Sequence, residues 1–219
     1  MGMFAHEPLL TSIRPADRAS LLAAGAGRVC EPGVALMRQG AIEDFVVAIV
    51  AGWAVVRSDA ANGRSLILGL RGPGDLVGEL AVLDGHPRSA TVITLTRMEV
   101  RILPGAEFRS FLRDHPQASV AVMRGMALRM RQTDGHSQDL ATLPVLQRLA
   151  RLLIDIDRAG PDGALASRLT QHDLATAIGA TRESVAKALA DLRSRGVLSA
   201  GERQIRIVDQ TALTAIAEL

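Results

Sequence analysis

Tyrosine is absent from this 219-residue chain, and aromatic residues make up only 2% of it. Since 48% of the residues are nevertheless hydrophobic, a core has to be built from Leu, Val, Ile, Ala and Met. Cysteine is nearly absent too. Cys30 stands alone, which excludes an intrachain disulfide and any cysteine-rich zinc or iron–sulfur site, and it is expected to be a small buried residue. No apolar run reaches the ~18 residues that a membrane span needs. Met1 to Leu10 lacks a basic stretch followed by a long apolar one, so neither a signal peptide nor a membrane partner is expected and the protein is expected in the cytoplasm. His6, His86, His115, His136 and His172 show no metal-ligand spacing, and no nucleophile–base motif appears. An enzyme is therefore not expected, nor is a metal or haem. The formal net charge of +2 gives no bulk electrostatic vote for a polyanion. Lysine is the last scarcity: Lys187 is the only one among 25 basic residues.

What is present falls into three regions. Residues 8–24 read as a helical entry carrying Leu9, Leu10, Ile13, Leu21 and Leu22. From about Val29 to Leu103, short β-rich runs alternate with turn residues: Ala35–Met37, Asp44–Val50, Trp53–Arg57, Ser65–Leu70, Ala90–Thr94 and Met98–Ile102. Asn62-Gly63 has the form of a type I′ hairpin turn. Many short strands at this spacing predict a sandwich or barrel-like roll. A helix is expected over Ala106–Asp114 and a longer one from about Gln117 to Ala141. In the longer helix Met123, Met126, Met130, Thr133, Ser137 and Leu140 recur at alternating spacings of three and four. Such a seam predicts pairing with a second copy, the alternative being packing on its own domain. Gly135 weakens this helix and marks a candidate hinge. Val145–Asp157 is predicted as an amphipathic helix, and 159–163 as a loop.

Within the β-rich region, Gly78-Glu79-Leu80 is followed closely by Arg88-Ser89. Backbone N–H groups at a helix start take a phosphate, an arginine fork adds charge in fixed geometry, and a carboxylate accepts from sugar hydroxyls. A small anionic ligand carrying a ribose needs this combination. Glu79 lies in an apolar run, so if buried it requires a partner, either such a hydroxyl or Arg88. Near the C-terminus, Thr170-Gln171-His172-Asp173 has the form of a capped helix start, Gly179 suits a left-handed turn, and Thr181 caps a second helix from Arg182 to about Arg195. This predicts a helix-turn-helix in which Ala175 and Val185 pack inside. Arg182, Glu183, Ser184 and Lys187 lie on the outer face, where arginine can read guanine and glutamate can accept from cytosine. An ordinary solvated helix face is the alternative. A hairpin or wing is expected over 196–208, with Arg203 and Arg206 as phosphate contacts.

The glycine-opened cassette at 74–91 resembles the phosphate-binding segment of cyclic-nucleotide-binding domains. The recognition helix Arg182-Glu183-Ser184-Val185 is similar to that of the Crp/Fnr family of bacterial transcription regulators. The resemblance covers nearly the whole chain. It implies an α+β architecture: an N-terminal β-roll over 1–115, a dimerisation helix and hinge over 116–142, and a C-terminal winged helix-turn-helix over 143–219. It further implies cyclic AMP as effector, held by Gly78, Glu79, Leu80, Arg88 and Ser89, with Thr133 on the base. Asp134 stands where well-known members carry a second hydroxyl, and Lys187 where they carry arginine. The DNA-facing set is then Thr170, Thr181, Arg182, Glu183, Ser184, Lys187 and Arg203. The implied partners are a pseudo-palindromic double-stranded operator, a second copy of the chain, and RNA polymerase. A regulator that responds to cyclic GMP or another effector, or to no nucleotide at all, is the alternative expectation. In the last case Glu79 and Arg88 would simply pair with each other.

Overall fold

The computed structural model describes residues 8–60, 65–160, 166–199 and 205–218. The expected Asn62-Gly63 turn, the loop residues Pro161-Asp162-Gly163 and the wing residue Arg203 lie outside these. The chain divides into two compact units, the division falling after Arg129.

The first unit opens with α1 (Leu9–Ser12) and α2 (Pro15–Ala24) and continues as a β-roll. Its strands are β1 (Ala26–Cys30), β2 (Ala35–Met37), β3 (Phe45–Ala51), β4 (Ala54–Asp59), β5 (Ser65–Arg71), β6 (Leu76–Val77), β7 (Thr91–Thr94) and β8 (Met98–Pro104). They form two four-stranded antiparallel sheets, ordered β1-β8-β3-β6 and β2-β7-β4-β5. Strand β3 shows why the sequence does this. Successive side chains on a strand point to opposite faces, and a strand covered on both faces reads as a continuous apolar run. Along Phe-Val-Val-Ala-Ile-Val-Ala, Val46 and Ala48 join a core with Leu21, Leu103, Phe108 and Val122. Val47 and Ile49 join the other core, between the sheets, with Met37, Val56, Val92 and Met98. Cys30 is buried there as a free thiol, as expected.

Two strands went unanticipated. Strand β1 is an edge strand whose burial runs exposed until Cys30, so it carries no alternation to recognise. Strand β6 is only two residues long. Helix α3 (Glu79–Asp84) follows β6, α4 (Gly105–Asp114) follows β8 directly, and α5 runs Pro116–Thr142. Met126 packs against the core of its own unit, while Met123 and Met130 are 59% and 70% exposed. Met123 and Met130, seven positions apart, both belong to the seam expected from the sequence.

The second unit holds the rest of α5, α6 (Val145–Ala159), a 3-10 turn at Ala166–Arg168, α7 (Gln171–Ala177), α8 (Arg182–Ser194) and α9 (Gln210–Glu218). Helix α6 buries Leu149, Leu152, Leu153 and Ile156, as its spacing predicted. Helix α9 had no counterpart in the sequence reading. It buries Leu213, Ile216 and Ala217, and Arg151 Nε of α6 donates to the Ala217 carbonyl at 3.0 Å. An antiparallel bridge between Leu198 and Ile207, with Ser199 N–H donating to Arg206 O at 2.9 Å, forms the base of the expected hairpin. Among the described residues no helix is long and apolar enough to cross a membrane.

Candidate functional site

Arg88 is the centre of the cassette. Its side chain is only 1% exposed, and its fork is spent largely on the backbone. Nη1 donates to Gly78 O at 2.8 Å and Nη2 to Phe45 O at 2.7 Å, while the guanidinium carbon lies 4.5 Å from the centroid of the Phe45 ring. Nε is buried and has no hydrogen-bond partner. A buried donor in that state is a place where an anion oxygen fits. Gly78 makes the approach possible. It is left-handed, with φ of 86°, and a β-carbon there would stand 2.5 Å from Arg88 Nη1 and 3.2 Å from Phe45 O. Leu80 and Ser89 are both exposed, at the start of α3 and just after Arg88.

Glu79 is buried and does have a partner, but not the arginine that the sequence suggested. Its Oε1 accepts from Arg129 Nη2 of α5. The self-paired Glu79–Arg88 arrangement is therefore not what the fold builds. Arg71, at the end of β5, adds a second guanidinium near this pair. Its burial pulls its pKa below the ordinary arginine value, against the attraction of Asp75 and Glu79. Thr133 and Asp134 lie in the second unit, exposed on the continuation of α5.

The helix-turn-helix forms as its caps dictate. The Thr170 hydroxyl accepts from Asp173 N–H at 3.1 Å, and Asp173 Oδ2 accepts from Thr170 N–H at 2.8 Å. Helix α7 ends at Ala177, and Ile178 and Gly179 make the turn. There Gly179 takes φ of 59°, and Leu140 Cδ2 would lie 2.8 Å from a β-carbon placed on it. Thr181 caps α8 by accepting from Ser184 N–H at 3.2 Å. Leu174 and Ala175 of α7 and Val185, Leu189 and Leu192 of α8 are buried. Arg182, Glu183 and Lys187 are exposed and Ser184 is half-buried. The Glu183 carboxyl is held below the usual range by its own backbone N–H and by the Thr181 hydroxyl, so it presents an acceptor-only group to solvent.

Two family models match the chain: the cyclic nucleotide-binding domain over residues 27–115 and the Crp-like helix-turn-helix domain over 147–216. A CRP-like cAMP-activated global transcriptional regulator of Mycobacterium tuberculosis is 32% identical over 186 residues, covering 83% of each chain. The chain belongs to the Crp/Fnr family. The cAMP-activated global transcriptional regulator CRP of Salmonella typhimurium is 28% identical over 176 residues, covering 78% of this chain and 83% of that one. Among solved structures, a c-di-GMP responsive global regulator of Xanthomonas campestris shares the fold, with a TM-score of 0.78 at 21% identity over 90% of this chain and all 100% of that one. The protein is thus a Crp/Fnr-type transcription regulator with a cyclic nucleotide-binding domain and a DNA-binding helix-turn-helix, from a family of regulators rather than enzymes.

Within this family member the structure gathers Gly78, Glu79, Leu80, Arg88 and Ser89 in one unit, and Thr170, Thr181, Arg182, Glu183, Ser184 and Lys187 in the other. Arg129 and Arg71 were missed. For Arg129 a signal existed: it follows Met126 by one helical step of three, on the side of α5 that packs inward.

Proposed function

We propose that this regulator is a homodimer whose operator binding is controlled by a cyclic nucleotide, cyclic AMP, held in the cassette at 78–89. The observation that carries the reading is Arg88: a buried guanidinium fixed by two carbonyls behind a glycine, with its Nε–H, free of any hydrogen-bond partner, left for a phosphate oxygen. Arg88, Ser89 and the backbone N–H groups near Gly78 and Leu80 hold the cyclic phosphate. Glu79, oriented by Arg129, accepts from the ribose, and Thr133, with Asp134 beside it, meets the base. Working divisions at 1–115, 116–142 and 143–219 follow from these roles. The exposed Met123 and Met130, seven residues apart on α5, support pairing of this helix with its copy. Two recognition helices then read a pseudo-palindromic site with half-sites about one DNA turn apart. Thr170, Thr181 and Arg203 serve the DNA backbone, and RNA polymerase is the partner in the cytoplasm. Ligand acts by binding one arrangement of the DNA-binding domains more tightly than another.

Titration calorimetry with cyclic AMP and cyclic GMP in parallel tests the effector. Micromolar or tighter binding of cyclic AMP, stronger than that of cyclic GMP, is expected; no heat with either removes the nucleotide from the reading. For DNA, Arg182→Ala is expected to lose about 1–3 kcal/mol of discrimination at each base it contacts. Competition binding against single-base operator variants measures this, and selectivity that survives the change would reduce Arg182 to a phosphate contact.

A further inference from the structure

Three carboxylates around the cassette each face a different arginine. Asp44 receives the Arg109 fork, Nη1 to Oδ1 at 2.8 Å and Nη2 to Oδ2 at 3.0 Å, and Arg109 holds its carboxyl below the usual range. Glu79 receives Arg129. Glu43 stands beside Arg88, its Oε2 lying 3.6 Å from Nε. That separation is an ion pair but too long for a hydrogen bond, and Nε accordingly has none. The carboxylate is the solvent-exposed member of the pair, 39% exposed against 1% for the guanidinium. Both Nη atoms already donate to the carbonyls of Gly78 and Phe45. Nε is thus the one nitrogen of the Arg88 guanidinium with no hydrogen bond, and Glu43 is the charge an incoming anion meets at that edge.

We propose that Glu43 sets the affinity of the cassette, as an internal carboxylate that competes with the ligand's phosphate for Arg88. The inference rests on the cyclic-nucleotide reading of the cassette. Asp44 also feels Arg88, but both its oxygens are held by the Arg109 fork, which leaves Glu43 as the carboxylate paired with Arg88 Nε. Two negative charges a few ångströms apart in a half-exposed site repel enough to weaken binding by about fivefold. Glu43 also cancels much of the field that Arg88 would project to solvent, which slows capture of an anionic ligand and flattens its dependence on salt. The sensor consequently responds at a higher nucleotide concentration than its arginine alone would set.

The test is calorimetry and stopped-flow binding of cyclic AMP to the full-length protein and to Glu43→Gln and Glu43→Ala, each at low and at high ionic strength. Both variants are expected to bind about fivefold tighter at low salt, with faster association and an advantage that shrinks as salt rises. A carboxylate with a merely structural role would not produce that salt signature. Binding by the wild type with equal or weaker binding by both variants overturns the role of Glu43 and leaves the nucleotide reading standing. Failure of all three proteins to bind either cyclic AMP or cyclic GMP overturns the nucleotide reading itself, and this inference with it.

Discussion

Arg88→Ala is expected to destabilise the ligand-free protein by about 2–4 kcal/mol, in addition to abolishing nucleotide binding. Chemistry alone presents Arg88 as a ligand contact, whose loss would leave the apo fold untouched. The structure makes it a fastener. Its two Nη donors tie Gly78 O, at the mouth of α3, to Phe45 O, at the start of β3, and its guanidinium covers the Phe45 ring. Alanine removes both charge-assisted bonds and leaves a cavity where a side chain 1% exposed had been. Glu43, being more than a third exposed, loses its partner at little cost. Arg88→Lys keeps the charge but cannot span both carbonyls, so it is expected to fall between wild type and alanine. Urea denaturation of the ligand-free proteins measures the differences. Equal midpoints for wild type and Arg88→Ala would show that the cassette holds its shape without the arginine.

The fold class was legible because its signals are local. Turn glycines between short apolar runs marked the roll, and the reciprocal Thr170–Asp173 cap with Gly179 and Thr181 marked the helix-turn-helix almost to the residue. What escaped has physical causes. An edge strand such as β1 needs no buried face of its own, so it leaves no alternation to read. Helix α9 is short and gains its order from packing on α6, with Arg151 closing on its last turn. That Met126 packs on its own unit was not legible either, because methionine packs equally well on a neighbouring subunit or on its own core, and spacing cannot tell which. The site was half legible for a related reason. Gly78, Glu79 and Arg88 sit within one short stretch, whereas the partner of Glu79 comes from 50 residues away. Only the tertiary fold brings Arg129 back to the cassette.

That long-range pair yields the second large effect. Removing Arg129 leaves the Glu79 carboxylate, whose side chain is 7% exposed, without its main cation. An uncompensated buried charge ordinarily costs 3–5 kcal/mol, and the nearby Arg71 guanidinium offsets part of this, so Arg129→Ala is expected to lose about 2–3 kcal/mol. If the loss comes from the orphaned charge rather than from missing packing, neutralising Glu79 must return some of it. The double variant Glu79→Gln/Arg129→Ala is therefore expected to recover about 1–2 kcal/mol over Arg129→Ala alone. Denaturation of wild type, both single variants and the double variant closes the cycle. Recovery would identify Arg129 as the counter-charge of the buried Glu79 carboxylate. No recovery would mean that Arg129 contributes mainly through the contacts of its aliphatic stem along α5, with Arg71 sufficing for Glu79.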